Sequence, residues 1–286
     1  MPQRLNVAVA QIETAFGDLE ANARKHHDII AEARRAGVEL LLFPELSLVG
    51  HGAGSETLRL ALRPDAPILR ELAAAVGDMR AVVGFIEEGP GAQFYNSAVV
   101  LHTGRIEFCH RKLNLATYGR LEEGKHYAAG GRIETLSLTP SWQAGLLICA
   151  DMWNPPLVHL AAAQGATLLL GPISSAVEAV GAEFDNPSGW DLNARFYAMT
   201  YGMPVALANR VGREGDLTFW GGSRILDPFG RTLAAAQGAT EQLVRAELDY
   251  EAVRQARYLL PTVRDSNPLL LRREFDRLSA GAGRGA

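Results

Sequence analysis

Three short stretches of this chain bring a reactive side chain to the end of an apolar or hairpin strand: LLLFPE at Glu45, EFCHRK at Lys112 and GLLIC at Cys149. Strand ends and the loops after them are where α/β proteins usually hold their sites. Taken singly, each residue also has a structural reading. Glu45 can solvate a loop after Pro44, Lys112 can be a surface charge, and a free cysteine such as Cys149 is often buried packing. Taken together they can do chemistry. A thiol attacks as its thiolate, and its free pKa is about 8.5. An ammonium nearby favours the thiolate, and a carboxylate can take the proton and later activate water. Attack on an amide carbonyl creates an oxyanion, which Lys112 and the backbone N–H of Ala150 can stabilise. A Glu, a Lys and a Cys therefore suffice for hydrolysis through a thioester, with neither metal nor cofactor.

Other candidates fit less well. Cys109 lies three residues before Lys112 in a predicted strand and reads as packing. The seven histidines form neither H-x-H nor H-E-x-x-H, so no metal site is expected. His26 and His27 are adjacent on a predicted helix and point apart. His110 falls near Lys112, but nothing papain-like surrounds Cys149. EEGPGAQ and FWGGS read as turns rather than phosphate loops. Tyr118, Trp153, Phe219 and Trp220 are aromatic residues on loops near the candidate site, equally suited to packing or to touching substrate.

The elements that must position these residues alternate at both ends of the chain. Leu5 to Ile12 reads as a strand, and Asp18 caps a helix running to Ala36, with Gly37 at its stop. VELLLFPELSLVG is a continuous apolar run, the mark of a strand covered on both faces. A helix over Pro67 to Val76 and a strand over Arg80 to Ile86 follow. Tyr95 to His102 and Arg105 to His110, joined by Thr103-Gly104, form a hairpin. Strands are expected near Ile133 to Leu138, at Gln143 to Cys149, at Thr167 to Leu170 and at Pro204 to Ala208. Helices are expected at Pro156 to Gln164 and Ser188 to Tyr201. A late hairpin turns at Asp227-Pro228-Phe229-Gly230, and Gln242 to Leu248 is a last strand. Two mixed sheets packed together with helices outside satisfy this pattern. Pro155 and Pro156 fit the first turn of a helix, so the chain bends sharply out of a strand at Cys149. Such an elbow exposes the side chain and aims backbone N–H groups at it.

With 286 residues, 48% hydrophobic and 21% charged, the chain can bury a large core. No linker is visible, so residues 1–280 read as a single domain, with 281–286 a disordered tail. The 28 basic and 32 acidic residues leave a net charge of −4, and no basic block points to nucleic acid. No run approaches the roughly 20 apolar residues of a membrane span, and the start lacks a signal-peptide pattern. Two cysteines are too few for a disulfide framework, so a cytoplasmic location with reduced thiols is expected.

In the order FPE, HRKLNL, ICADMW, the sequence resembles the carbon–nitrogen hydrolase (nitrilase) superfamily from NVAVAQIET to the strand after Gln242. YGRLEEGKHYAAG, NRVG and WGGSRILDPFG resemble further segments of it. The resemblance implies a four-layer α-β-β-α sandwich of two mixed sheets, assembling as homodimers or larger oligomers. It implies Glu45 as general base, Lys112 as stabiliser of the tetrahedral intermediate and Cys149 as nucleophile. Glu123 would position substrate and lysine, with Glu122 its rival, and Ala150, Trp153 and Tyr118 join it as substrate-binding candidates. Members often carry an acidic or aromatic residue where Ala150 stands, so the usual selectivity argument does not transfer. The Asp and Trp that follow are more like the amidase and glutaminase-domain branches than true nitrilases. The expected substrate is a small linear amide; alternatives are an N-carbamoyl (ureido) compound, a nitrile, or an idle member that binds a metabolite or protein.

Overall fold

Apolar residues alternate sides along the central strands, and that alternation builds the layers. The computed structural model describes residues 3–181 and 183–282. In the first sheet β1 (Arg4–Gln11), β2 (Leu40–Leu42) and β3 (Arg80–Gly89) run parallel. β4 (Gln93–His102) and β5 (Arg105–Arg111) extend it antiparallel. The second sheet has β7 (Gln143–Leu146), β8 (Leu168–Pro172) and β9 (Val205–Ala208) parallel at its centre. β6 (Thr135–Ser137) flanks β7, while β12 (Arg224–Leu226) and β13 (Thr232–Ala235) extend the other side. β14 (Gln242–Asp249) returns to the first sheet and pairs antiparallel with β1.

Val7, Val9, Leu40 and Leu42 face inward and meet Leu146, Ile148, Leu168 and Leu170 between the sheets. The intervening Ala8, Ala10, Leu41 and Phe43 pack outward against α1 (Leu19–Arg35) and α3 (Pro67–Val76). On the far side, Leu169, Val205 and Leu207 pack under α4 (Pro155–Ala163) and α5 (Asn186–Tyr201). Period-2 strands buried on both faces give an α-β-β-α sandwich, as expected. Fully burying each Val, Leu, Ile or Phe side chain among these contributes about 1.5–3 kcal/mol. Local signals set the ends of the elements. Asp18 accepts a hydrogen bond from the Ala21 N–H at 2.9 Å, Pro67 opens α3, and Thr103-Gly104 turn the hairpin with positive φ at both.

The differences lie at the edges. β7 ends at Leu146, and Cys149 to Trp153 form a 3₁₀ turn, so Cys149 stands past the strand rather than in it. The expected strand over Ile133 to Leu138 shortens to β6. A ribbon of β10 (Val211–Glu214) and β11 (Leu217–Trp220), a single turn α2 (Thr57–Leu60), and α6 (Tyr250–Leu259) are additions. So is α7 (Pro268–Ala282), which reaches two residues into the tail expected to be disordered; residues 283–286 lie outside those described. Trp190 and Tyr197 of α5 pack in the core under their own sheet, while Leu192, Phe196 and Met199 of the same helix are exposed. Cys109 is exposed, its thiol 3.7 Å from Glu87 Oε2, because β5 is the edge strand of its sheet. Among the described residues no helix is long and apolar enough to cross a membrane, and no His/Cys/Asp/Glu group is arranged to hold a metal ion.

Candidate active site

Glu45 leaves the central strand β2 through Phe43 and Pro44. Its loop lies flat on β3 because position 84 is glycine: a Cβ there would come 2.4 Å from the Leu46 nitrogen and 2.8 Å from the Pro44 carbonyl. Glu45 is 3% exposed. Its Oε1 accepts from Lys112 Nζ at 2.6 Å and Asn96 Nδ2 at 2.8 Å, and its Oε2 from the Ser174 N–H at 2.9 Å. Burial pushes this carboxyl up, but the Lys112 charge and hydrogen bond outweigh burial, leaving it below the ordinary carboxylate range.

Lys112 follows β5 and is 1% exposed. Its ammonium also meets Glu123, at 2.8 Å. Glu123 in turn accepts from Asn96 Nδ2 at 2.9 Å and from the Ala116 N–H at 2.6 Å. Burial alone would lower the Lys112 pKa; Glu123 and Glu45 together hold it well above the usual lysine value. Glu122, the rival, pairs with Lys125 in solvent and is not part of the cluster.

Cys149 adopts φ +46, a left-handed conformation that costs a non-glycine residue roughly 1–2 kcal/mol. Asp151, fully buried, secures the bend. Its Oδ1 accepts from the N–H groups of Leu113 (2.9 Å) and Asn114 (2.7 Å), just after Lys112. Its Oδ2 accepts from the Ile148 N–H (3.0 Å), just before Cys149, and lies 3.1 Å from His110 Nε2. An ionised carboxylate only accepts, so that ring nitrogen carries the proton. One side chain thus fixes the Lys112 and Cys149 loops to each other. Burial, followed by the negative charge of Glu45, pushes the Cys149 thiol well above its ordinary value, and Lys112 offsets only part of this. Lys112 therefore does not hold Cys149 as a thiolate at rest, and the thiol is neutral.

Glu45, Lys112, Glu123, Cys149, Tyr118 and Trp153 all line one cavity. Ala150 is buried directly behind Cys149 and lines no part of it; what it offers is a backbone N–H in the first turn of a 3₁₀ helix, where such groups lack intrahelical partners. Sequence reading missed His51, Ser174, Ser175 and Asn186, which also line the cavity. His51 Nδ1 is 3.1 Å from Ser174 Oγ, and burial holds the imidazole below its usual range despite Glu45, Glu214 and Glu123. The only signal for Ser174 and Ser175 was their place just after the apolar run of β8.

The sequence profile described as carbon-nitrogen hydrolase matches residues 6–258, and the chain belongs to that family. It is 30% identical over 254 residues to a glutamine-dependent NAD(+) synthetase of Thermotoga maritima, covering 87% of this chain and 43% of that protein. The chain thus spans less than half the length of that relative. It is 26% identical to a citrullinase of Francisella tularensis, covering 93% of this chain and 96% of that one. Among solved structures, a double mutant of the amidase from Nesterenkonia sp. AN1 in complex with acrylamide superposes with a TM-score of 0.80 at 26% identity, covering 95% of this chain and 97% of that one.

Proposed function

We propose that this chain hydrolyses a small linear amide through a thioester on Cys149, releasing ammonia or an amine, with no cofactor. The observation that carries this reading is the convergence of Glu45, Lys112 and Glu123 on the cavity that holds Cys149 at a strained elbow. Because the resting thiol is neutral and Glu45 acidic, transferring the proton before attack is uphill. Sulfur attack and proton transfer to Glu45 Oε therefore proceed together, as negative charge develops on the carbonyl oxygen beside the Lys112 ammonium and the Ala150 N–H. The C–N bond breaks as Glu45 returns the proton to the leaving nitrogen. Water then adds to the thioester while Glu45 takes its proton. The C–S bond breaks, the acid leaves, and the proton returns to sulfur.

A second reading, hydrolysis of a ureido compound, draws support from the citrullinase, which matches over nearly its whole length. Ammonia release across amides, ureido compounds and nitriles separates these readings, with intact-protein mass reporting an acyl adduct on Cys149. No release and no adduct with any of them defeats the hydrolase reading. The exposed apolar face of α5 supports a homodimer or larger assembly; a monomer by light scattering at micromolar concentration would count against it.

A further inference from the structure

The wall of the cavity formed by the loop after β8 and the start of α5 carries polar groups that the reaction proposed above does not use. Asn186, the first residue of α5, is 2% exposed. Its Nδ2 donates to Ser175 Oγ at 2.8 Å and to the Ala176 carbonyl at 2.7 Å. A carbonyl oxygen only accepts, so these bonds fix the orientation of the side-chain amide. The remaining atom, Oδ1, is buried and accepts from no described residue. Ser175, 5% exposed, accepts twice at Oγ: from Asn186 Nδ2 and from Trp190 Nε1 at 2.9 Å. Both its acceptor places are filled, which leaves the hydroxyl proton to donate, and no described residue receives it. The backbone of Ser175 is clamped by Asn209, whose Oδ1 accepts its N–H at 2.9 Å and whose Nδ2 donates to its carbonyl at 3.2 Å.

One free donor and one free acceptor therefore stand on adjacent residues of the cavity that holds Cys149. A buried polar pair of this kind favours a ligand that completes both bonds and rejects one that completes neither. A carboxylate offers Asn186 no donor, and an ammonium offers Ser175 no acceptor. A zwitterion offers both but buries two charges without a free partner, since the Lys112 ammonium is already engaged by Glu45 and Glu123.

We infer that Ser175 and Asn186 select an uncharged tail bearing both an acceptor and a donor, so that the preferred substrate is a small linear diamide rather than an α-amino acid or a simple alkyl amide. This rests on the hydrolase reading for the chemistry at Cys149, but the selection itself is a property of binding. Butanediamide, 4-methylpentanamide, the monoamide of butanedioic acid and glutamine share the same spacing from the scissile carbonyl and differ at the tail. Butanediamide is expected to show kcat/KM at least about 100-fold above 4-methylpentanamide, and to exceed both charged compounds. Ser175→Ala should shrink the gap to 4-methylpentanamide while thermal unfolding reports an intact fold. Calorimetry on the Cys149→Ala protein should give the same ranking without turnover. Ammonia release from 4-methylpentanamide within about threefold of butanediamide, or glutamine as the best substrate, overturns the inference and leaves the hydrolase reading standing. Selective binding of butanediamide with no turnover of any amide supports the pair and removes the hydrolase reading. Neither binding nor turnover of butanediamide rejects both.

Discussion

The strand exit at Glu45 and the strand exit at Cys149 face the same cavity from different sheets, yet they are held in different ways. Around Glu45 a neutral network anchors the loop. Ser47 Oγ sits 2.9 Å from His26 Nε2 and accepts the Gly84 N–H at 3.2 Å, while the His26 ring stacks on Phe43. Burial lowers the His26 pKa to about 4, so the network stays uncharged at neutral pH. The Glu45 carboxylate itself is bound by charge, to Lys112. At Cys149 the arrangement is inverted. There the anchor, Asp151, is the charged group, while the sulfur is held by backbone geometry and carries no stabilised charge. The site thus keeps its base ionised and its nucleophile protonated, and leaves the proton transfer to the arrival of substrate.

The sharpest way to break this comparison is to remove the nucleophile. Cys149→Ala should lower ammonia release by several orders of magnitude while circular dichroism stays unchanged; near-normal turnover with any substrate would refute covalent catalysis at this position. Next come the two partners on the other exit. Lys112→Met removes the oxyanion stabiliser, a loss typically worth about 2.7–4 kcal/mol, and should fail to acylate even with a reactive ester. Glu45→Gln removes the charge that helps keep the thiol protonated, so Lys112 can hold a thiolate that acylates with that ester. No base is left to activate water, so added mass persists on Cys149. If only Lys112→Met accumulates adduct, the roles are reversed.

Asp151→Asn tests the anchor. All four hydrogen bonds go to this carboxylate; Asn neutralises it and turns one accepting oxygen into a donor, leaving at least one backbone N–H without its acceptor. Since a hydrogen bond to a charged group is worth about 1.5–3 kcal/mol, kcat should fall roughly 10- to 100-fold with KM little changed. An unaltered kcat would show that the loops hold their register without it. The pH profile sharpens the electrostatic half. Because the folded Glu45 pKa lies below its ordinary 4.5, the ion pair stabilises the fold above that value and is lost as pH falls through the lowered pKa. The acid limb of kcat/KM should accordingly lie below the ordinary carboxylate range; a limb centred at roughly pH 6 would mean that Glu45 is not the base. The smallest effect is expected at Glu122→Gln, with the unfolding temperature and the rate both unchanged, since its partner Lys125 is as exposed as it is.

Much of this was legible in the sequence for a local reason. Glu45 and Lys112 follow apolar or hairpin strands whose period is written in consecutive residues, and the two prolines after Trp153 mark the bend at Cys149. Glu123 was legible only through resemblance, because the loop that carries it has no pattern of its own. His51, Ser175 and Asn186 were not legible: the loop after β2 brings one to the cavity and the two ends of the β8–α5 connection bring the others, and only the packing of the sheets sets their approach. The role of Asp151 was hidden likewise, since its partners at Leu113 and Asn114 are more than thirty residues away in sequence. α6 did leave a signal, Asp249 as N-cap with Val253 and Ala256 spaced to bury one face. α7 is exposed almost throughout, so no core-facing stripe of its own chain announced it.

The protonated state of Cys149 has a consequence for durability. Peroxide and other oxidants attack the thiolate, and enzymes that keep a thiolate ready at rest climb the sulfenic-to-sulfonic ladder when oxidants rise. A thiol raised by burial and by the neighbouring Glu45 gives such reagents little to attack until a carbonyl compound occupies the cavity. The empty protein should therefore survive oxidative episodes that inactivate thiolate enzymes, its vulnerability confined to turnover.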